Sequence, residues 1–164
     1  MQCMWCKGDF DLGEGPVHEY MESTPGCWAT YSKVLAVEYQ NYKALHDVHR
    51  LTVDTYAAQH PGRPSRKSIQ STWGHLVALY FYLEKGFDGE QTRRQIERFV
   101  EFGPELVWLR PPDFTGAVNV SHVAGAVDDQ DHLTRVKEWG QSVYASWCKS
   151  HASEIQCMAQ KTLW

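Results

Sequence analysis

Apolar residues recur at three- and four-residue steps along most of the chain, the spacing of one face of an α-helix. Trp28, Tyr31, Leu35, Tyr39 and Tyr42 mark such a face over 26–44. The run Ser23-Thr24-Pro25-Gly26 signals its start, with Thr24 as N-cap and Pro25 at the first helical position. A second helix is predicted over 47–60. It stops at Pro61-Gly62, because proline cannot continue a helix and glycine suits the turn that follows. A third, over 65–85, carries Ile69, Trp73, Leu76, Val77, Tyr80 and Leu83, and Ala78, Leu79 and Tyr82 widen that stripe into a central helix. Asp88 and Gln91 have the spacing of a capping box for a helix over 89–102, which Gly103-Pro104 ends. After a short extended piece at Leu106-Val107-Trp108-Leu109, a short helix is expected over 121–127 and a long one over 129–161. Val136, Trp139, Val143 and Trp147 form the face of this last helix, and His132 and His151 continue the row at either end.

Residues 1–25 break the pattern. They are rich in Gly, Pro and charge and carry little periodicity, so they read as a loop-dominated knuckle. The expected architecture is all-α: a bundle of about five to six helices with a small, loop-rich, zinc-knuckle-like N-terminal segment (1–25) packed on a single helical domain (1–164). A hydrophobic content of 43% excludes a disordered chain, and seven Trp predict a core thick with rings. A net charge of −4 argues against nucleic acid as a partner. No run of 18 apolar residues exists to span a membrane. That leaves a small-molecule ligand among the partners considered and the oligomeric state open. The opening MQCMWCKGDF lacks the apolar stretch of a signal peptide, so a cytoplasmic location is expected.

In such a compartment a C-x-x-C pair reads as metal or redox chemistry before it reads as a structural disulfide. Cys3 and Cys6 form that pair, and Cys27 sits in TPGCW at the start of the first predicted helix. With His18 from GPVHEYM they make a candidate zinc site of three thiolates and one imidazole, the ligand types that tetrahedral zinc prefers. The metal would staple a segment with too few apolar residues to fold alone. It would be structural if four protein groups close the site, and open to catalysis if water takes the fourth position. A competing reading makes Cys27 a reactive thiol whose pKa is lowered by the helix N-terminus.

A second concentration of polar groups lies in HRLTVDTYAAQHPG and QSTWGHL. His49 and His60 are ~16 Å apart along one helix, too far to share an ion. If the second and third helices form an antiparallel hairpin, His75 meets the middle of the second helix, around Asp54 or His49. A pocket of His49, Asp54 and His75, with Tyr56 nearby, is then a candidate catalytic acid–base or metal-binding site. The alternative is a buried polar network that fixes helix register. His60, just before Pro61, reads as a helix C-terminal residue interacting with the dipole. A third reading is an interaction module that presents an aromatic groove.

These motifs together resemble an uncharacterised bacterial family, a domain of unknown function. The likeness rests on Cys3 and Cys6, Gly15-Pro16, His18, Tyr20-Met21, Pro25-Gly26-Cys27-Trp28, His49 through Asp54, Tyr56, Gln59 through Gly62, Gln70-Ser71 and His75-Leu76. One departure is Lys7 directly after the C-x-x-C, where glycine would favour a tight turn. The resemblance implies a family but no activity.

Overall fold

The computed structural model describes residues 1–163. In order along the chain run α1 (Pro25–Gln40), α2 (Tyr42–Gln59), α3 (Arg66–Leu83), α4 (Gly89–Phe102), the short α5 (Val120–Ala124) and α6 (Asp129–Gln160). Among the described residues there is no strand, only an isolated antiparallel bridge between Gln2 and Asp9. Among the described residues no helix is long and apolar enough to cross a membrane.

Local chemistry sets the helix limits. Thr24 accepts the Cys27 N–H and Pro25 opens α1, as the sequence predicts. Ser65 and Ser68 cap α3 reciprocally, and Asp88 and Gln91 do the same for α4. Gly103 closes α4 in the left-handed conformation that glycine adopts without steric cost. Two expectations need correction. The helix expected over 26–44 breaks at Asn41, and α2 begins at Tyr42 rather than near 47. The buried face of α1 is Cys27, Tyr31, Val34 and Glu38, whereas Tyr39 and Tyr42 are exposed.

α2, α3 and α6 pack mutually and form the centre; α4 lies against α3 and α5 against α1. Trp139 and Trp147 of α6 are fully buried, and burying each such ring contributes about 2–3 kcal/mol. Their indole N–H groups are satisfied at the end of α2, Trp139 by the Gln59 side chain (2.9 Å) and Trp147 by the Ala58 carbonyl (2.9 Å). Two large side chains of α6 therefore fix the last turn of α2, next to His60. Beyond it Gly62 has φ 70°, and a Cβ there would run into the Tyr20 carbonyl. Only glycine lets the chain leave α2 so close to the N-terminal segment. Gly26 plays the matching part in α1, where a Cβ would strike the Asp11 carbonyl.

The N-terminal segment is tied by main-chain bonds around the C-x-x-C turn. Cys3 N–H donates to the Gly8 carbonyl (2.9 Å) and Lys7 N–H to the Cys3 carbonyl (3.1 Å). Lys7 sits at φ 60°, the left-handed conformation that glycine would adopt more easily. The departure from glycine at this position leaves the turn intact.

Candidate metal centre

Cys3 and Cys6 come from the N-terminal turn, Cys27 from the first turn of α1, and His60 from the C-cap of α2. One donor atom from each lies within 4.8 Å of all the others, and all four residues are buried. Cys6 Sγ and Cys27 Sγ are 3.9 Å apart, and Cys27 Sγ is 3.4 Å from His60 Nε2. A tetrahedral zinc ion with its usual bond lengths would set sulfur–sulfur edges at about 3.8 Å and sulfur–nitrogen edges at about 3.5 Å. No disulfide links the thiols.

The histidine is oriented for ligation. Its Nδ1 donates to the Tyr56 carbonyl one turn back (2.8 Å), which leaves the lone pair of Nε2 facing the sulfurs. The Tyr56 ring stacks on His60 and its hydroxyl lies 3.5 Å from Cys27 Sγ. His60 does meet the end of its own helix, as its position before Pro61 implies, and its other nitrogen joins the cluster.

Three buried thiols without a cation cannot all ionise. Hydrogen bonds from Cys27 and Cys6 hold the Cys3 thiol far below its usual value, against its burial. For Cys6 the bond to Cys27 lowers the pKa, but the bond to Cys3 and burial outweigh it and push the thiol up to about 12. Hydrogen bonds to Cys3 and Cys6, with burial, raise Cys27 well above an ordinary thiol. This direction is opposite to the lowering that the helix N-terminus alone would give Cys27. The arrangement holds one thiolate by itself and gains a use for all three when a divalent cation balances them.

His18, the histidine nearest these cysteines in sequence, stands outside the cluster. Its Nδ1 accepts the backbone N–H groups of Tyr20 and Met21 (3.3 Å each), and its ring lies against Tyr20 and Trp28. It shapes the loop that approaches Gly62.

The expected pocket of His49, Asp54 and His75 divides into two. His75 on α3 donates from Nδ1 to Asp54 Oδ1 (2.7 Å), and Arg50 binds the other oxygen of Asp54 (3.1 Å). His75 borders an open depression of about 440 Å³ with Tyr20, Lys67, Gln70 and Ser71. His49 turns away to a different carboxylate, Glu38 of α1 (2.7 Å). Sequence reasoning missed Glu38, which is completely buried and also accepts from Thr52 (2.5 Å) and His132 (2.9 Å). Burial works to raise the Glu38 carboxyl, but these hydrogen bonds outweigh it and hold the group below its ordinary value. Its signal was a charge in phase with Cys27, Tyr31 and Val34 on a buried helical face.

The fold and site define an all-helical protein whose loop-rich N-terminal segment closes a three-cysteine, one-histidine cluster against two helix ends. A family model matches residues 1–148, and the chain belongs to that family, DUF5946, a family of unknown function. No curated protein and no solved structure matches it.

Proposed function

We propose that Cys3, Cys6, Cys27 and His60 hold one zinc ion and that the ion's role is structural. The observation that carries this reading is the convergence of four buried donor atoms, with Nε2 of His60 left free for ligation by the bond its Nδ1 makes. Thiolate and imidazole favour zinc over hard cations. Four protein groups leave no open position, the mark of a structural rather than a catalytic site. The metal would couple the N-terminal segment to α1 and to the end of α2, so its binding energy becomes folding energy for a region with few apolar residues. A reducing, cytoplasmic setting keeps the three thiols available.

Elemental mass spectrometry on wild type, Cys3→Ser, His60→Ala and His18→Ala tests the assignment. One zinc per chain, lost in the first two variants and kept in His18→Ala, is the expected outcome. A metal-free wild type, or loss of zinc in His18→Ala with retention in His60→Ala, contradicts it.

A second reading, compatible with the first, is a small-molecule enzyme working at His75. The supporting observation is the short bond to buried Asp54, which fixes the ring, beside an open depression. In this reading His75 is the acid–base group through Nε2, Asp54 positions it, and His49 takes no part. A panel of chromogenic esters and phosphoesters checks it. Turnover lost in both His75→Ala and Asp54→Asn supports it; absence of any turnover by the wild type counts against it.

A further inference from the structure

A further depression, about 530 Å³, has neither the four clustered donor residues nor His75 on its walls. It lies between the N-terminal turn, the segment 110–114 and α6, with Trp5, Lys7, Arg110, Pro112, Ser150 and His151 on its walls. Three features set it apart. First, two nitrogens of lining side chains, Trp5 Nε1 and His151 Nδ1, are buried without a hydrogen-bond partner. Two of the nine such atoms among the described residues belong to this one depression, where a bound group could pair them. Second, α6 is distorted here: His151 leaves helical geometry (φ −132°, ψ 16°), and its Nε2 donates to the Arg110 carbonyl (2.9 Å). When the ring is neutral, that bond leaves the lone pair on Nδ1, an acceptor in need of a donor. Glu154 Oε1 stands 3.5 Å from Nδ1, too far for a hydrogen bond. Third, two cations border the space. Lys7 spends one donor on the Met4 carbonyl (2.8 Å), and the Arg110 guanidinium makes no hydrogen bond to the described residues. The one carboxylate on the wall, Asp113, is engaged by Thr115 (2.8 Å).

We propose that this depression binds a small, flat organic acid. The carboxylate meets Arg110 and Lys7 and accepts from the Trp5 indole. A hydroxyl on the ring donates to His151 Nδ1. The flat body packs along Trp5 and the Pro111-Pro112 pair. The site depends on the metal reading in one respect only: Trp5 lies between Cys3 and Cys6 in the turn that zinc would hold.

The test uses the full chain and 3-hydroxybenzoate as probe, followed by NMR on the indole N–H of Trp5, identified with Trp5→Phe, and on the ring of His151. Both signals shift saturably with 3-hydroxybenzoate and stay in place with its uncharged analogue, 3-hydroxybenzyl alcohol. Arg110→Gln, an exposed substitution that leaves packing alone, weakens binding about tenfold. Shifts that are absent, equally strong with the alcohol, or unchanged in affinity by Arg110→Gln overturn the proposal. Zinc content measured on the same samples separates the two claims. Zinc-loaded protein that ignores the probe contradicts the acid site alone, and zinc-free protein that binds it contradicts the metal reading alone.

Discussion

Two buried polar clusters sit about three turns apart along α1, and they are built on opposite principles. Around Glu38, one carboxylate accepts from His49, Thr52 and His132, and the donors match the acceptor. Around Cys27, three sulfurs and Nε2 of His60 face one another, all of them atoms able to ligate a metal. The first cluster is electrostatically complete from the chain's own residues. The second gathers four buried donor atoms that could hold a metal ion. Burial of polar groups therefore does not by itself mark a ligand site; the balance of donors and acceptors does.

The largest effect expected from this contrast is on stability after metal removal. A strong chelator, or Cys3→Ser, should lower the melting temperature by about 10 °C or more, several kcal/mol for a chain of this size. The Glu38 cluster should be untouched, so the His132 ring signal stays where it is. Equal melting with and without chelator would erase the distinction between the clusters.

Gly62→Ala comes next. The added Cβ meets the Tyr20 carbonyl at a left-handed backbone position, and a cost of about 2–4 kcal/mol is expected in urea unfolding. Because Gly62 follows His60 so closely, the variant should also bind zinc more weakly in a chelator competition. Full stability with unchanged zinc affinity would show that the close approach does not hold the site together.

Glu38→Ala should cost about 3 kcal/mol, since it strands His49, His132 and Thr52 without their acceptor, while zinc content stays at wild-type level. The pH dependence follows from the lowered carboxyl. A group held below its unfolded value adds stability above that value and loses it as pH falls through the folded one. The gap in stability between wild type and Glu38→Gln should therefore be full near neutrality and shrink as the pH drops below the ordinary glutamate value of 4.5. A gap that widens on acidification would mean that Glu38 is protonated in the native protein.

The smallest effect is expected at His18. It holds only two long hydrogen bonds to its own loop, so His18→Ala should cost about 1 kcal/mol or less and leave the metal in place. Loss of zinc in this variant would move the fourth ligand back to the histidine nearest the cysteines in sequence.

What the sequence revealed, and what it hid, divides along the same physical line. Caps and helix stops are local, and Thr24-Pro25, Asp88/Gln91 and Pro61-Gly62 were readable as such. The three sulfurs were readable because cysteines in a loop-rich stretch and at a Pro-Gly helix start have few other uses. His60 was not, because it is 33 residues from Cys27 and already had a local explanation as a helix-end residue. Its pairing depends on how the end of α2 folds back past Tyr20, which no spacing encodes. Glu38 was hidden by the neighbouring Tyr39 and Tyr42, whose rings drew the apolar face of α1 to the wrong side. The kink at His151 was equally silent, since neither glycine nor proline stands there. The break at Asn41 likewise has no strong local signal.

X-ray absorption at the zinc edge, on wild type and His60→Ala, tests the central claim most directly. The account predicts three sulfurs at about 2.3 Å and one nitrogen at about 2.0 Å in the wild type, with the nitrogen or the metal itself gone in His60→Ala. An oxygen ligand in the wild type, fewer than three sulfurs, or a nitrogen that survives His60→Ala would contradict it.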